Sequence, residues 1–172
     1  LISNMNGGIK SGGGYLGLAN ILVNFNTEEL GLWKGGSLRI NGANTHGATP
    51  SATYIGDMQV ASNIEAGDHT FLQELYYHHK FRKLEVIVGL QDMNSEFATA
   101  DYAALFINSS FGMLPVISNN IDAPIFPLTA LGVTASIELN DNTQWVNALY
   151  DGCPTGFNHD PYNMRWNISA VD

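Results

Sequence analysis

Asp92 and Glu96 are the first residues whose types and spacing could do chemistry. They lie four residues apart in a chain in which charged residues make up only 13%. A glycosidase needs two carboxylates that face each other across a cleft, at a separation of roughly 5–9.5 Å. Acid pairs at this spacing also occur by chance, and no second motif supports hydrolysis. The elements around the two acids must decide between a catalytic pair, a structural turn and the edge of a passage.

The five histidines could bind a metal only if the fold brought several of them together. His78 and His79 are adjacent in a predicted strand, so their side chains point to opposite faces and cannot share one ion. His46, His69 and His159 lie in separate predicted loops. The sequence therefore predicts no metal site.

The composition excludes several classes of function. The net charge is −9 with seven basic residues and no basic cluster, so a nucleic-acid partner is not expected. The single cysteine, Cys153, rules out an internal disulfide framework and a cysteine-rich metal site. The chain has no run of about 20 apolar residues that could form a membrane-spanning helix. Membrane-spanning β-strands are not excluded, because each needs only about 9–11 residues and alternates in polarity.

Alternation of apolar and polar side chains predicts an all-β chain. The clearest case is 128–139, where apolar residues alternate with Thr134, Ser136 and Glu138. The predicted strands are 19–26, 37–44, 70–81, 84–91, 128–139 and 145–151, with one more beginning at residue 165. The facing of 145–151 stays open, because two apolar residues interrupt its pattern.

The connections between these strands alternate in length. Residues 45–69 and 92–126 are long, whereas 82–83 and 140–142 are short, and no helical pattern separates the strands. This indicates an antiparallel meander with short turns at one end and long loops at the other, as in outer-membrane barrels. Residues 1–14 are predicted to be a flexible, glycine-rich lead. Aromatic residues near the short turns, where an interfacial girdle would lie, are Phe25, Trp33, Phe81 and Trp145.

Seven blocks of sequence carry a family resemblance. They are GLWKGGSLRI (31–40), YIGDMQVASNIEA (54–66), ELYYHHKF (74–81), GLQDMNSEFA (89–98), LFINSSFG (105–112), IFPLTALGV (125–133) and LYDGCP (149–154). In order and spacing they resemble the carbohydrate-selective porins of the OprB family. The resemblance runs from about residue 15 to the end of the chain.

The resemblance implies a sixteen-stranded antiparallel barrel in the outer membrane of a Gram-negative bacterium. Such proteins are channels rather than enzymes; they contact outer-membrane lipid, use no cofactor and pass monosaccharides and similar small solutes by diffusion. About seven strands are predicted, so residues 15–172 are expected to be the N-terminal portion of the barrel. Ile87 stands where similar porins often carry a basic residue that faces the lumen. The preferred sugar and the charge preference therefore stay open. The sequence also leaves the oligomeric state open.

The resemblance makes one face of the predicted strands a channel lining. Arg39, Asn41, Glu74, Tyr76 and Gln91 are predicted to form a polar track along the channel wall. Carboxylates, amides and guanidinium groups bind sugar hydroxyls, and aromatic side chains pack against sugar rings. The alternative is that these side chains only solvate a water-filled lumen.

In a porin, Asp92 and Glu96 are expected to have a role other than catalysis. Asp92, Asn94 and Glu96 stand where a wall strand passes into a long loop, and such loops commonly fold inward and narrow the pore. We therefore expect a constriction rather than catalysis.

Two rival folds make different predictions. A soluble β-sandwich that binds or cleaves sugars would bury Leu131, Val133, Ala135 and Ile137 against a second sheet. A closed barrel of eight strands would have an interior packed with side chains.

Overall fold

The computed structural model describes residues 1–100, 102–152 and 154, and their regular structure is almost entirely β. The strands are β1 (Ile2–Asn4), β2 (Gly12–Gly14), β3 (Leu16–Asn26), β4 (Gly36–Gly47), β5 (His69–Phe81), β6 (Leu84–Gln91), β7 (Ala130–Asn140) and β8 (Thr143–Tyr150). The helical segments are short: a π-helical turn at Ser51–Ile55, 3₁₀ turns at Met93–Ser95, Ala103–Leu105 and Ser109–Phe111, and α1 at Pro115–Ser118. Among the described helices, none has the length and apolar character to cross a membrane.

Six strands form one sheet in the order β3-β4-β5-β6-β7-β8, so each strand lies beside its neighbour in sequence. The pairs β5–β6, β6–β7 and β7–β8 are antiparallel. This confirms the predicted all-β antiparallel meander with short turns after β5 and β7. Each of these turns has two residues, 82–83 and 141–142. The strand predicted from residue 165 lies outside the described residues.

The register of β8 settles the facing that its sequence left open. Ser136 pairs with Val146 and Thr134 pairs with Ala148, so these two apolar residues share a face with two β7 hydroxyls. Side chains of directly paired residues lie on the same face of a sheet. The facing of β8 therefore follows from its partner strand, since its own residues do not alternate cleanly.

The chain divides into two compact units. The sheet unit comprises Ile21–Gly42, Leu72–Met93 and the described residues from Ala123 onward. The loop unit comprises Leu1–Asn20, Ala43–Phe71 and the described residues of Asn94–Asp122. We describe each unit separately.

The sheet unit carries a single layer of strands. Leu90 is fully buried, but Val133 is 39% exposed and Leu149 is 62% exposed. A sandwich would bury this face against a second sheet, and the described residues of the unit contain no such sheet. The closed eight-stranded rival is also not observed, because β3 and β8 are the two edges of the described six-stranded sheet.

The loop unit is held by hydrogen bonds that involve both side chains and backbone groups. The Glu65 carboxylate accepts hydrogen bonds from the Ser51 amide at 3.0 Å and the Ser51 hydroxyl at 2.7 Å. Asn108 Nδ2 donates to Asp57 Oδ2 at 2.9 Å, and the Asn63 amide donates to the Ile107 carbonyl at 2.7 Å. Segments without long strands need such bonds, since unpaired backbone groups are costly when buried.

The predicted glycine-rich lead has regular structure in this unit. β1 pairs with β2 in antiparallel register, and Asn4 Nδ2 donates to the Lys10 and Tyr54 carbonyls, each at 3.0 Å. The Lys10 amide also donates to the Tyr54 carbonyl at 3.1 Å. The interpretation of residues 1–14 as a plain flexible lead missed this hairpin. Three glycines in β2 carry no alternating side chains, so the pattern gave no strand signal.

Candidate functional site

The register of the sheet unit separates two faces with different chemistry. The polar face carries the even residues of β5, β7 and β8 and the odd residues of β4 and β6. Its members with polar side chains include Arg39, Asn41, Glu74, Tyr76, His78, Lys80, Glu85, Gln91, Thr134, Ser136, Glu138 and Tyr150. The opposite face carries Leu38, Ile40, Leu75, Tyr77, His79, Phe81, Val86, Val88, Leu131, Val133, Ala135, Ile137, Trp145, Asn147 and Leu149. We call the second set the apolar face.

A buried carboxylate joins β4 and β5 on the polar face. Glu74 is 5% exposed, and its Oε2 accepts hydrogen bonds from Arg39 Nε at 3.0 Å and from Asn41 Nδ2 at 3.1 Å. The Arg39 side chain is about a third exposed. A carboxylate this deeply buried requires a paired cation or several donors. The structure thus brings together three of the eight predicted site residues in one cluster.

A second charged group crosses three strands on the same face. Lys80 Nζ lies 2.5 Å from Glu85 Oε1 and 3.4 Å from Glu138 Oε1. His78 lies between the Ser37 hydroxyl and the Glu85 carboxylate, at 3.4 Å from each. The sequence prediction of the site missed Glu85 and Glu138. Strand alternation places each of them on the polar face, but their proximity depends on the β5–β6–β7 register.

Gln91 lies on the polar face, but its amide is used by the sheet itself. Gln91 is 2% exposed, its Nε2 donates to the Gly132 carbonyl at 2.8 Å, and its Oε1 accepts from the Thr134 hydroxyl at 2.8 Å. The Thr134 hydroxyl also lies 3.0 Å from the Tyr150 hydroxyl. Gln91, Thr134 and Tyr150 thus form a hydrogen-bonded network on the polar face.

Tyr76 lies on the polar face of β5, between Glu74 and His78. It pairs with Gly89, it lies two residues beyond Glu74 on the same strand, and its side chain is half-buried. The structure therefore places Tyr76 beside the Glu74 cluster along β5, as the alternation predicted.

The boundary between the two units lies between Asp92 and the pair Asn94 and Glu96. Asp92 belongs to the sheet unit, where its Oδ2 accepts a hydrogen bond from the Phe126 amide at 3.2 Å. Asn94 belongs to the loop unit and lies in the 3₁₀ turn Met93–Ser95, and its Nδ2 donates to the carbonyl of Phe97, just beyond this turn, at 3.1 Å. Glu96, in the same unit, is exposed. Two of the three side chains thus stabilise the path of the backbone after β6.

The apolar face carries a hydrogen-bonded aromatic group near the short turns. Trp33 Nε1 donates to the Tyr77 hydroxyl at 2.6 Å, and this hydroxyl lies 2.6 Å from His79 Nδ1. The His79 and Phe81 rings are 3.9 Å apart between centroids. Trp33 and Phe81 are 52% and 55% exposed. Aromatic residues with a polar atom and an apolar body suit the boundary between water and an apolar phase.

The described residues contain no group of three or more His, Cys, Asp or Glu side chains that could hold a metal ion. The charged groups of the polar face are instead paired with one another across strands. What this arrangement offers chemically is a wall of fixed hydrogen-bonding groups.

Comparison with protein families matches residues 10–171 to the description "Carbohydrate-selective porin, OprB family". Comparisons with curated proteins and with solved structures gave no match. The family match covers most of the chain, and the all-β meander with one polar and one apolar face agrees with it. The family consists of channels rather than enzymes, and its members are outer-membrane β-barrels. The chain therefore belongs to the carbohydrate-selective porin family OprB.

Proposed function

We propose that the sheet unit forms part of the wall of a passive outer-membrane channel through which monosaccharides and similar small solutes diffuse. The observation that carries the proposal is the contrast between the two faces of one sheet. Paired charges, amides and hydroxyls lie on the polar face, whereas exposed aliphatic and aromatic residues lie on the other. A wall with water on one side and lipid on the other requires this contrast.

The apolar face is proposed to contact outer-membrane lipid. Val88, Val133 and Leu149 are 47%, 39% and 62% exposed, and they lie on three successive strands. Exposed apolar area of this kind on a protein surface marks a contact with another protein or with a membrane. The described sheet has two edge strands, and lipid tolerates no unpaired edge. The proposal therefore includes further strands that complete the wall.

Arg39 and Tyr76 are proposed to contact the solute, and the buried Asn41 and Glu74 to position Arg39 along the pathway. Glu74 holds the two donors in fixed positions, so a sugar hydroxyl meets groups that need no reorganisation. Gln91 is proposed to contribute to the channel lining indirectly, because its amide orders the neighbouring residues Gly132 and Thr134. Such a channel needs no cofactor, because diffusion down a gradient requires neither chemistry nor energy coupling.

Asp92, Asn94 and Glu96 are proposed to mark the start of a segment that narrows the passage. The base of this connection is closed within the sheet unit, where the Met93 amide donates to the Pro124 carbonyl at 2.8 Å and Asp92 accepts from Phe126. This supports a constriction rather than a catalytic pair.

Liposome swelling with the full-length protein tests the proposal. Vesicles with the wild-type channel are expected to admit monosaccharides faster than disaccharides, since pore width and lining set the rate. Arg39→Ala and Glu74→Ala are expected to reduce this size discrimination, because each removes side-chain volume and a fixed hydrogen-bonding group.

Glu28→Ala is the matched control, because Glu28 is a half-exposed acid in the β3–β4 turn. Each variant is first checked for folding by heat-modifiable electrophoretic mobility. No entry of any sugar with the wild-type protein would reject the channel. Wild-type rates and ratios in both polar-face variants would reject the assigned pathway.

A further inference from the structure

Four residues form a row across the polar face of the sheet unit. Tyr76 pairs with Gly89, Gly89 pairs with Gly132, and Gly132 pairs with Tyr150, on the four successive strands β5 to β8. At spacings of about 4.8 Å between strands, the row spans about 14 Å between its outer Cα atoms. We call this set the tyrosine row.

The ring of Tyr150 lies over Gly132. A Cβ built on Gly132 would come within 2.3 Å of Tyr150 Cδ1 and 2.7 Å of Cε1, closer than any real contact. The ring therefore occupies the space that a side chain at position 132 would take, and it leans along the wall rather than projecting away from it. Only glycine at position 132 permits this placement.

Hydrogen bonds fix the other end of the ring. Gln91 Nε2 donates to the Gly132 carbonyl, so Gln91 Oε1 is the acceptor for the Thr134 hydroxyl. The single hydrogen of Thr134 is thereby used, and the Tyr150 hydroxyl is the donor in its 3.0 Å contact with Thr134. Gln91 and Thr134 are each 2% exposed, whereas Tyr150 is half-buried. The buried network thus orients a ring that retains exposed surface.

We infer that Tyr150 is a specificity-determining residue that favours solutes with a pyranose ring over acyclic polyols of similar size. This rests on the proposed function, in which the polar face lines the passage. A pyranose ring has an apolar face of C–H groups that packs against an aromatic ring, while its hydroxyls bond at its edge. An acyclic polyol has similar hydroxyls but no flat apolar face.

Three variants of the full-length protein separate the ring from its surroundings. Tyr150→Leu removes the ring, Gly132→Ala displaces it while keeping the phenol, and Tyr150→Phe keeps the ring but loses the hydrogen bond to Thr134. The readouts are the ratio of liposome-swelling rates for glucose and sorbitol, and the concentration at which glucose reduces the single-channel current. Heat-modifiable mobility confirms folding of each variant.

Tyr150→Leu and Gly132→Ala are expected to weaken the glucose effect on the current, and to lower the glucose-to-sorbitol ratio, by about two- to tenfold, as for loss of one aromatic contact. Tyr150→Phe is expected to stay within about twofold of the wild type, because the ring remains. If Tyr150→Leu fails to fold, Gly132→Ala decides.

An unchanged ratio in the folded variants would overturn the inference and leave the channel intact. An equal change for both solutes would also overturn it, because this indicates a change of pore width. Exclusion of both solutes by the wild-type protein would instead reject the proposed function, and the inference with it.

Discussion

The two faces of the sheet unit are built from the same strands, yet their polar atoms are satisfied in different ways. On the polar face, charges and amides bond from strand to strand along its length, as Arg39, Asn41 and Glu74 do. On the apolar face, polar atoms bond at the strand ends, where Trp33 donates to Tyr77. Most side chains between these ends are aliphatic, and Asn147, which pairs with Ala135, is an exception. The difference shows that strand register decides two things. It separates polar from apolar side chains between the two faces, and it sets where along each face the polar groups meet.

The largest effect is expected when a charge is placed on each face of one strand in turn, which tests the assignment of the two faces. Val88 lies on the apolar face and is 47% exposed, whereas its neighbour Ile87 lies on the polar face. Val88→Arg is expected to destabilise the protein by about 2–4 kcal/mol in lipid vesicles, the cost of a cation in a lipid-facing position. Ile87→Arg is the matched control and should cost much less, because its charge enters the aqueous side. Denaturant unfolding in vesicles measures both, and equal losses would contradict the assignment of the faces.

A smaller effect is expected from breaking the buried pair on the polar face. Arg39→Ala leaves the carboxylate of Glu74 buried with one donor fewer, which we expect to cost about 1–3 kcal/mol of unfolding free energy. The estimate is reduced from that of a fully buried pair, since Arg39 is about a third exposed.

Glu74→Gln in the Arg39→Ala background tests the cause of this loss. The amide removes the unpaired charge at nearly constant volume, so the double variant should recover part of the stability. Additive losses in the double-mutant cycle would show that Arg39 and Glu74 do not depend on each other.

The smallest expected effect concerns the aromatic end of the apolar face. Trp33→Phe removes the hydrogen bond to Tyr77 and is expected to cost about 0.5–1.5 kcal/mol. Trp145→Phe is the matched control, because Trp145 is 60% exposed on the same face and its indole makes no hydrogen bond among the described residues. Denaturant unfolding in vesicles should separate the two variants, and similar losses would mean that the Trp33 hydrogen bond contributes nothing beyond ring burial.

Much of the strand pattern could be predicted from the sequence, because alternation is a local property. The segment 84–91 was predicted with the bounds that the structure gives β6, and the alternation of 128–139 places Thr134 and Ser136 on one face as observed. Alternation failed where side chains are absent or uniform. The three glycines of β2 gave no signal, and β8 carries two apolar residues on its polar face.

The candidate site was predicted in part for the same reason. Arg39 and Glu74 were placed on one face, but their separation of 35 residues hides the contact that β4 and β5 create. Gln91 was predicted as a lining residue, and only the structure shows its amide bonded to Gly132 and Thr134. The eight residues remain a predicted solute pathway, as pore lining or constriction, to be tested by the permeation experiments above.

The amino-acid sequence alone determined that this chain is an antiparallel β meander in which short and long connections alternate. The reason is that side-chain polarity alternates with every second residue along each strand. Tertiary structure alone decided which side chains meet. The ring of Tyr150 over Gly132 and the bridge from Lys80 to Glu138 both depend on the register between strands. A shift of one residue would send each side chain to the other face, and no single strand encodes the position of its neighbour.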